Sequence, residues 1–226
     1  MNKNNSCLQP RVLVTGGAQR IGAALVESLH SVGMRVAIHC RTSTKEALRI
    51  SERLNQRVPA SASVHTGDLV DDKTPSRLIE EVVERYAGLD VLINNASSFF
   101  PTPIAETTNC QWENLLATNL KAPFFLSQAA APHLAKSKGI IINIADIYGE
   151  RPMSGFSVYS IAKAGLLMMT KALAQELGPD VRVNAIAPGA ILWPEHPTAD
   201  PTRQRVIDNT PLNSIGDPRD IVSAAL

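Results

Sequence analysis

Short apolar runs that alternate with longer amphipathic segments are the feature that most constrains this fold. Six runs have strand character: Val12–Thr15, Val36–His39, Val64–His65, Val91–Ile93, Ile140–Ala145 and Val181–Ile186. Strands that are joined through helices pair in parallel, and each crossover is right-handed. The pattern therefore predicts an α/β fold in three layers, with a doubly wound parallel sheet between two layers of helices.

The segments between these runs have helical periodicity. The first carries apolar residues on one face, and Gly33 stands where a glycine cap ends a helix; the face consists of Ile21, Leu25, Leu29 and Val32. Four further helices are predicted, over Lys45–Arg57, Pro75–Tyr86, Asn109–Ala135 and Val158–Leu177.

The C-terminal part of the chain has a different character. Prolines between Pro188 and Pro211 predict a long loop, which includes Trp193, Glu195 and His196, residues to which we assign no role. Asp217 followed by Pro218 begins a last helix. Because the chain stops soon afterwards, we expect a single domain over residues 1–226, shortened at its C-terminus and lacking a last strand.

Charge and cysteine content exclude several classes of function. The 22 basic and 21 acidic residues leave a net charge of +1, so we expect neither nucleic acid nor an anionic membrane as a partner. The N-terminus lacks the apolar core of a signal peptide, and no apolar run approaches the roughly 18 to 20 residues that cross a bilayer. The three cysteines form no CxxC pair and the histidines are isolated, so reduced thiols, the cytoplasm and no metal site are expected.

A glycine-rich turn follows the first predicted strand and precedes the first helix. Its sequence is Thr15-Gly16-Gly17-Ala18-Gln19-Arg20-Ile21-Gly22. Glycines let the backbone approach a pyrophosphate, and the free N–H groups and positive dipole end of the helix attract its charge. A tight turn without a ligand is the alternative, but the position between strand and helix favours phosphate binding.

The end of the second strand indicates which dinucleotide binds. An acidic residue at this position binds the ribose hydroxyl of NAD, whereas arginine with hydroxyl neighbours accommodates the 2′-phosphate of NADP. The chain has His39, Cys40, Arg41, Thr42 and Ser43 here and no Asp or Glu. NADPH is therefore the expected cofactor, with a solvated arginine as the alternative.

Four residues form a candidate catalytic group. Tyr159 and Lys163 are four apart on one helical face, and a neighbouring ammonium is expected to lower the pKa of the phenol. Tyr159 would then be a usable proton donor. Asp146 just after the fifth strand and Asn119 in the fourth helix could join them at the carboxyl ends of the strands.

Taken together, the motifs resemble those of the short-chain dehydrogenase/reductase family across essentially the whole chain. They are the glycine-rich turn, Asp68, Asn94-Asn95-Ala96, Asn119, Tyr159-Ser160-Ile161-Ala162-Lys163 and Ala187-Pro188-Gly189. The resemblance implies a Rossmann fold, with Asp68 on the adenine amino group, Asn95 on the nicotinamide side, Lys163 on the nicotinamide ribose and Asn119 supporting a proton-relay water. The expected cofactor-binding set is Gly16, Arg20, Ile21, Gly22, His39, Arg41, Thr42, Ser43, Asp68, Asn95, Ala96, Ser97, Lys163, Pro188 and Gly189.

Position 146 departs from the family pattern, because most members have a serine that donates to a substrate carbonyl. An ionised aspartate cannot donate, and its charge would repel a developing alkoxide. Asp146 with Tyr159 suits a C=N substrate better, and this resembles the pteridine reductase branch, as do Arg20 and the segment from Asn94 to Pro103.

That branch implies a pterin or folate as the substrate. Phe99 would stack on the flat ring, and Ser97 would hydrogen-bond to the pterin or to a cofactor phosphate. Arg20 would reach the phosphate and the carbonyl edge of the pterin, while Asp146 and Tyr159 complete the substrate site. Core packing is the alternative for Phe99 and the favoured interpretation for Phe100.

Two other functions stay open. One is a carbonyl reductase that acts on a ketone such as a 3-oxoacyl thioester, and the other is a catalytically silent NADP(H)-binding regulator. The intact Asn119, Tyr159 and Lys163 argue against the regulator. The sequence does not choose among biopterin, monapterin and folate. The fifth predicted helix is apolar on several faces, and the family resemblance implies a dimer or tetramer through the fourth and fifth helices.

Overall fold

Six parallel strands form one sheet in the computed structural model, which describes residues 9–193 and 200–226. The strands are β1 (Arg11–Val14), β2 (Arg35–Cys40), β3 (Ala62–Thr66), β4 (Val91–Asn94), β5 (Ile140–Ile144) and β6 (Arg182–Ile186). Their order is β3-β2-β1-β4-β5-β6, and every pair is parallel. The predicted doubly wound α/β fold is confirmed.

Helices cover both faces of this sheet. They are α1 (Arg20–Ser31), α2 (Thr44–Arg57), α3 (Thr74–Tyr86), α4 (Asn109–Leu116), α5 (Ala122–Ser137), α6 (Ser157–Leu177), α7 (Asp200–Asp208) and α8 (Pro218–Ala225). One apolar core joins the sheet to α1, α2 and α8, for example through Leu25, Leu54 and Ile221, all of them buried. The other core joins it to α3, α5 and α6 through residues such as Leu78 and Leu126.

The fourth predicted helix is not one regular α-helix. A π-helical turn, Ala117–Lys121, separates α4 from α5, so the single helix expected over Asn109–Ala135 is wrong in its middle. Apolar periodicity does not reveal a π turn, which adds one residue to a turn without breaking the helix.

Two further expectations need correction. The long loop expected between Pro188 and Pro211 contains α7, whose Pro201 occupies the first turn, where the missing N–H of proline costs nothing. Val32 does not extend the buried face of α1, since it lies at the C-cap and is 56% exposed.

The predicted helix ends near Gly33 and Asp217 are confirmed. Gly33 ends α1, with φ of +93°. Asp217 caps α8 together with Asp220, also as predicted.

The strand order reverses between β1 and β4, which creates a crevice at the carboxyl ends of these neighbouring strands. Ligands of open α/β sheets bind at such a switch point. Thr15 follows β1 and Asn95 follows β4, so the segments that contain the predicted cofactor and substrate residues meet there. Within the described ranges, no helix is long and apolar enough to cross a membrane.

Candidate active site

The turn between β1 and α1 is a backbone cradle that depends on two glycines. Gly16 has φ of +60°, and a Cβ there would lie 3.0 Å from the Cα of Ala96. A Cβ on Gly22 would collide with the carbonyl oxygen of Gly16 and lie 2.7 Å from the side-chain nitrogen of Asn95. The turn can therefore form only with glycine at these two positions.

Asn95 and Thr15 tie this turn to the segment after β4. The Thr15 hydroxyl accepts the backbone N–H groups of Asn95 and Ala96 at 2.9 and 3.0 Å. The Asn95 side-chain amide donates to the carbonyl oxygens of Thr15 and Gly16 at 2.9 and 3.1 Å. Asn95 thus holds the cradle in shape, and its expected place beside the nicotinamide remains a prediction.

His39 supports the same turn from beneath. The Gly16 N–H donates to Nδ1 at 3.3 Å, and Nε2 lies 3.1 Å from the carbonyl oxygen of Gly67. Because the carbonyl can only accept, these contacts place the imidazole proton on Nε2. Burial lowers the pKa of His39 to about 4, so the ring is neutral near pH 7. The His39 side chain is buried beneath the turn. Its expected contact with the cofactor remains a prediction, and the exposed residues at the end of β2 are Arg41 and Thr42.

Arg41 is exposed at that end of β2. Its guanidinium Nη1 lies 3.8 Å from Oδ2 of Asp68, and both side chains are about half exposed. Thr42 is exposed, and Ser43 occupies the N-cap position of α2 without a side-chain capping bond. The predicted arginine with two hydroxyl neighbours is therefore present, with Asp68 beside it as a partner that spacing alone does not indicate.

Arg20 connects the glycine turn to the segment after β6. It has φ of +52°, a left-handed conformation that is costly for a residue other than glycine. Its Nη2 donates to the carbonyl oxygens of Trp193 and Leu192 at 3.0 and 3.4 Å. Its expected contacts with phosphate and pterin remain predictions. The guanidinium of Arg203 lies 5.4 Å from the centre of the Trp193 ring, whereas Glu195 and His196 lie outside the described residues.

The predicted catalytic side chains converge after β5. The Tyr159 hydroxyl donates to Oδ2 of Asp146 at 2.7 Å, and Oδ1 of Asp146 accepts the Tyr148 N–H at 2.9 Å. The second bond caps a short 3₁₀ turn, Ile147–Gly149, which fixes the direction of the carboxylate. Lys163 is buried one turn along α6, and its Nζ donates to the carbonyl oxygen of Ile144 at 2.9 Å.

The electrostatics of this group differ from the expectation. Burial, followed by the Asp146 carboxylate, raises the pKa of Tyr159 strongly, so the predicted lowering by Lys163 is wrong for this arrangement. The reason is geometric, because Nζ lies 5.6 Å from the centre of the ring and donates to a backbone carbonyl. Burial also raises the pKa of Asp146 and lowers that of Lys163 to about 8. Tyr159 therefore keeps its proton at any physiological pH.

Asn119 lies in the π turn and is 1% exposed. Its side-chain nitrogen donates to the carbonyl oxygens of Leu115 and Ser98 at 2.9 and 3.0 Å, and its Oδ1 accepts the Ser97 hydroxyl at 2.6 Å. Single π turns inside α-helices are frequent at functional sites. Here the turn lets Asn119 join the helix to the segment that carries Ser97, while its role toward a relay water stays a prediction.

Phe99 belongs to an aromatic group beside the proton donor. Its ring stacks on Phe156, with centroids 4.6 Å apart and 11° between the planes, and meets Tyr159 edge-on at 4.9 Å. Phe99 is 38% exposed, so part of the ring remains open to a ligand. Phe100 packs against the buried cluster of Leu115, Val158 and Tyr159, in agreement with the favoured packing interpretation.

Pro188 and Gly189 lie beside the same 3₁₀ turn. The carbonyl oxygen of Pro188 accepts the Ile147 N–H at 3.1 Å, and a Cβ on Gly189 would lie 3.7 Å from the Ile147 side chain. Ile21 is half-buried at the start of α1 and packs against the core below. The segment after β6 therefore contacts the 3₁₀ turn that carries Tyr148, and through Arg20 it also contacts the glycine turn.

Four contributors received no site role of their own from the sequence: Thr15, Tyr148, Phe156 and Trp193. Thr15 accepts a hydrogen bond from Asn95, eighty residues away, and Tyr148 acts through its backbone N–H. No residue pattern in the sequence signals either contact. Phe156 precedes Tyr159 by three residues on the same helical start, and that spacing is the one available signal. Trp193 contributes its carbonyl oxygen, which reaches Arg20 only because of how the segment after β6 folds.

The remaining polar candidates do not form another catalytic group. His30 contacts the Ser61 hydroxyl at 2.7 Å, and His65 contacts Glu81 at 3.0 Å. Cys40 is buried and Cys110 exposed, and both are free thiols. Within the part of the chain that the structure describes, no three His, Cys, Asp or Glu side chains could hold a metal ion.

The glycine turn lies at the switch point, and the protonated phenol of Tyr159 follows β5 at the same edge of the sheet. A dinucleotide site with a proton donor is the arrangement of a nicotinamide-dependent oxidoreductase. Comparison with known proteins gives the same class. Residues 10–202 match the short chain dehydrogenase family, and the chain belongs to that family, which uses NAD(H) or NADP(H).

Individual relatives differ in their reactions. A protein from Streptomyces violaceoruber, named as a ketoacyl reductase of the granaticin polyketide synthase, is 34% identical over 96% of this chain and 88% of its own length. Pteridine reductase 1 of Leishmania tarentolae is 31% identical, over 82% of this chain and 78% of its own. The crystal structure of a dehydrogenase/reductase from Sinorhizobium meliloti has a TM-score of 0.89 and 32% identity, over 96% of this chain and 86% of its own.

Proposed function

We propose that this oxidoreductase uses NADPH to reduce a pteridine from its dihydro to its tetrahydro form, with Tyr159 as the proton donor. One observation carries the proposal, the 2.7 Å hydrogen bond from the Tyr159 hydroxyl to Asp146. Asp146 stands where a carbonyl reductase needs a hydrogen-bond donor, and it faces the proton donor as an acceptor. The similarity to a pteridine reductase adds support, although it is no closer than the similarity to a ketoacyl reductase.

The residues at the switch point fit NADPH. Gly16 and Gly22 form a turn with no room for side chains, at the N-terminus of α1, where a pyrophosphate is favoured. The exposed guanidinium of Arg41, beside Thr42, suits a ribose phosphate. Lys163 would hold the nicotinamide ribose. When bound, the reduced nicotinamide supplies the hydride.

Tyr159 and Asp146 supply the proton. Reduction of a C=N bond forms a C–H bond at the carbon and an N–H bond at the nitrogen, and the second step breaks the O–H bond of Tyr159. Both oxygens of Asp146 accept hydrogen bonds, as those of an ionised carboxylate do. After the transfer, Asp146 would take a proton from solvent, because it is only half-buried, and pass it to the Tyr159 phenolate. Burial raises the pKa of Asp146, which favours this transient protonation.

The charge of Lys163 completes this chemistry. With a pKa of about 8, Lys163 is mostly protonated at pH 7. Its ammonium lies 5.6 Å from the centre of the Tyr159 ring and stabilises the phenolate that exists briefly between the two proton transfers. This role is transient, which is consistent with the raised pKa of Tyr159 in the resting enzyme.

The substrate would lie against Phe99. A flat heterocycle gains stacking energy on the exposed part of this ring, next to the Tyr159 edge. Ser97, which donates to Asn119, and Arg20, which reaches the carbonyl oxygens of Leu192 and Trp193, would contact the polar edge of the pterin. These contacts would fix the ring in one orientation.

Reduction of a ketone, such as a 3-oxoacyl thioester, is the second candidate, because a relative named as a ketoacyl reductase aligns over nearly the whole chain. The physical objection is the carboxylate of Asp146, which would repel the oxyanion that forms as hydride reaches a carbonyl carbon.

NADPH oxidation by the purified protein tests the choice. The substrates are dihydrobiopterin, dihydromonapterin and dihydrofolate, with an acetoacetyl thioester as the ketone. We expect turnover with pterins only, and loss of most of it in Asp146→Ser. Thioester turnover that Asp146→Ser maintains or increases would overturn the proposal. Glu150→Ser, an exposed change four residues away, is the matched control.

We also propose that α4, α5 and α6 bind a second copy of this chain. An apolar groove of about 490 Å³ crosses these helices, and it is lined by Leu116, Leu120, Lys121, Phe124, Phe125, Gly165 and Met169. Two phenylalanines on it are about 40% exposed, and Met168 is 63% exposed beside it. Exposed apolar surface of this kind marks protein interfaces. Phe125→Glu should produce monomers in sedimentation velocity, and an unchanged dimer would contradict the assignment.

A further inference from the structure

A second groove lies between the segments that flank Phe99 and Phe156 in the chain. It has a volume of about 500 Å³ and is bordered by the segment after β4 and the segment before α6. Its lining residues are Thr102, Pro103, Ile104, Pro152, Met153, Ser154, Gly155 and Ser157. None of these residues takes part in the proton transfer or the cofactor binding described above.

Hydrogen bonds through Thr102 hold the two walls together. Its N–H donates to the carbonyl oxygen of Gly155 at 2.6 Å, and its own carbonyl accepts the Ser157 hydroxyl at 3.1 Å. Its hydroxyl accepts the Val158 N–H at 3.3 Å. Thr102 is fully buried, so the groove is a built feature of the fold and not a gap between two independent loops.

Phe156 links the segment that lines the groove to the aromatic group of the candidate active site. Phe156 lies between the lining residues Gly155 and Ser157 and forms a bridge with Thr102. The same Phe156 stacks on Phe99, which meets Tyr159 edge-on. We infer from this adjacency that a group attached to a flat ring on the open part of Phe99 reaches the groove past Phe156.

The chemistry of the lining selects what that group can be. No lining residue carries a charge, and four are apolar: Pro103, Ile104, Pro152 and Met153. Ile104 is 90% exposed at the rim. Thr102 is bonded to the opposite wall, and the Ser157 hydroxyl already donates to its carbonyl oxygen. The Ser154 hydroxyl and the remaining acceptor capacity of Ser157 are therefore the side-chain polar groups left for a ligand. An anionic tail would lose hydration here without gaining a cationic partner.

We propose that this groove binds the side chain of the substrate and selects pteridines with a short, uncharged, hydroxylated side chain over folates with a dianionic glutamate tail. The inference rests on the proposed function, and it names the substrate class that the candidate active site leaves open. Its prediction for the wild type is a kcat/KM for dihydrobiopterin at least about tenfold above that for dihydrofolate.

Two variants of opposite charge at Ile104 test the groove without disturbing the fold, because this side chain is exposed. Ile104→Lys should raise the kcat/KM of dihydrofolate relative to dihydrobiopterin by roughly threefold or more, and Ile104→Asp should lower that ratio by a similar factor. Leu212→Lys and Leu212→Asp are the matched controls, since Leu212 is 85% exposed and outside the groove. A dihydropterin with a methyl group in place of the side chain should respond to none of these changes.

The outcomes are distinct. The inference is supported if the two Ile104 variants change the dihydrofolate-to-dihydrobiopterin ratio of kcat/KM in opposite directions while the Leu212 variants leave it unchanged. Equal ratios in the two Ile104 variants, or a wild-type preference for dihydrofolate, would overturn it while pterin reduction itself persists. A protein that reduces none of the pteridines, including the methyl compound, would instead refute the proposed function, and the groove assignment would fall with it.

Discussion

Replacement of Lys163 by methionine should make the folded protein more stable near neutral pH. Lys163 is 3% exposed, and its one hydrogen bond in the structure goes to a neutral carbonyl, that of Ile144. Burial of an ammonium without a charged partner in contact is costly, and the lowered pKa of Lys163 measures that cost. Methionine has a similar length and no charge, so it fills the same space.

The pKa gives the magnitude. A fall from the ordinary value of 10.5 to about 8 corresponds to about 3 kcal/mol of unfavourable free energy while the lysine is charged in both states. The lost hydrogen bond to Ile144 offsets roughly 1 to 2 kcal/mol of the gain. The unfolded chain keeps the Lys163 proton up to a higher pH than the folded protein does, so the cost of burying the charge falls as pH rises from about 8 to above 10. The advantage of Lys163→Met should therefore be about 1 to 2 kcal/mol near pH 7 and should turn into a disadvantage near pH 10.

Urea denaturation of both proteins without cofactor, near pH 7 and near pH 10, measures this directly. The informative quantity is the change with pH in the stability difference between the two proteins, because other titrating groups cancel in it. We expect a change of about 2.5 kcal/mol between these pH values, with activity of the variant largely lost. A constant difference at the two pH values would refute the reasoning, since it would mean that the buried amine carries no cost of charge. Lys171→Met, an exposed change on the same helix, is the control.

Four other changes have definite outcomes. Gly22→Ala should abolish NADPH binding in a fluorescence titration, because the added carbon collides with the carbonyl oxygen of Gly16, and the far-UV circular dichroism should show that the fold persists. Arg41→Ala should lower the preference for NADPH over NADH by at least about tenfold in kcat/KM, and an unchanged preference would exclude Arg41 from the phosphate site. In the wild type, kcat should fall as pH rises through the raised pKa of Asp146, and Asp146→Asn should be slow and lack this decline. Phe99→Leu should raise the KM of the pterin about tenfold or more and leave that of NADPH unchanged, whereas parallel increases would mean a general loss of structure.

The elements that were predictable are those with a periodic signal. Each strand of the sheet appears as an apolar run, and α6 shows Tyr159 and Lys163 on one face, as their spacing requires. The position of Asp146 directly after β5 placed it at the carboxyl edge of the sheet, where the structure brings it to Tyr159. In a parallel sheet, residues that directly follow the strands lie at the same edge of the sheet. Their place in the sequence is therefore enough to predict that they lie near one another.

The parts that were not predictable depend on contacts between distant residues. The pKa of Tyr159 depends on burial and on which oxygen its hydroxyl faces, and spacing on a helix reports neither. The π turn at Asn119 is stabilised by side-chain bonds to Leu115 and Ser98, in place of the regular helical pattern. The Phe99–Phe156 stack needs the bridge between Thr102 and Phe156, which joins two segments more than fifty residues apart.

One short segment after β4 makes several of the contacts that shape the site, and the register of β4 determines where these contacts form. Asn95 holds the glycine turn, Ser97 contacts Asn119, and Phe99 meets Tyr159. β4 pairs with β1 on one side and β5 on the other, and its apolar residues are buried on both faces of the sheet. A slip of one residue would move every contact to the opposite face. The buried hydrogen bond of 2.8 Å from Asn94 to Asn143, at the last paired position, opposes such a slip, because any other register would break this bond between two buried amides.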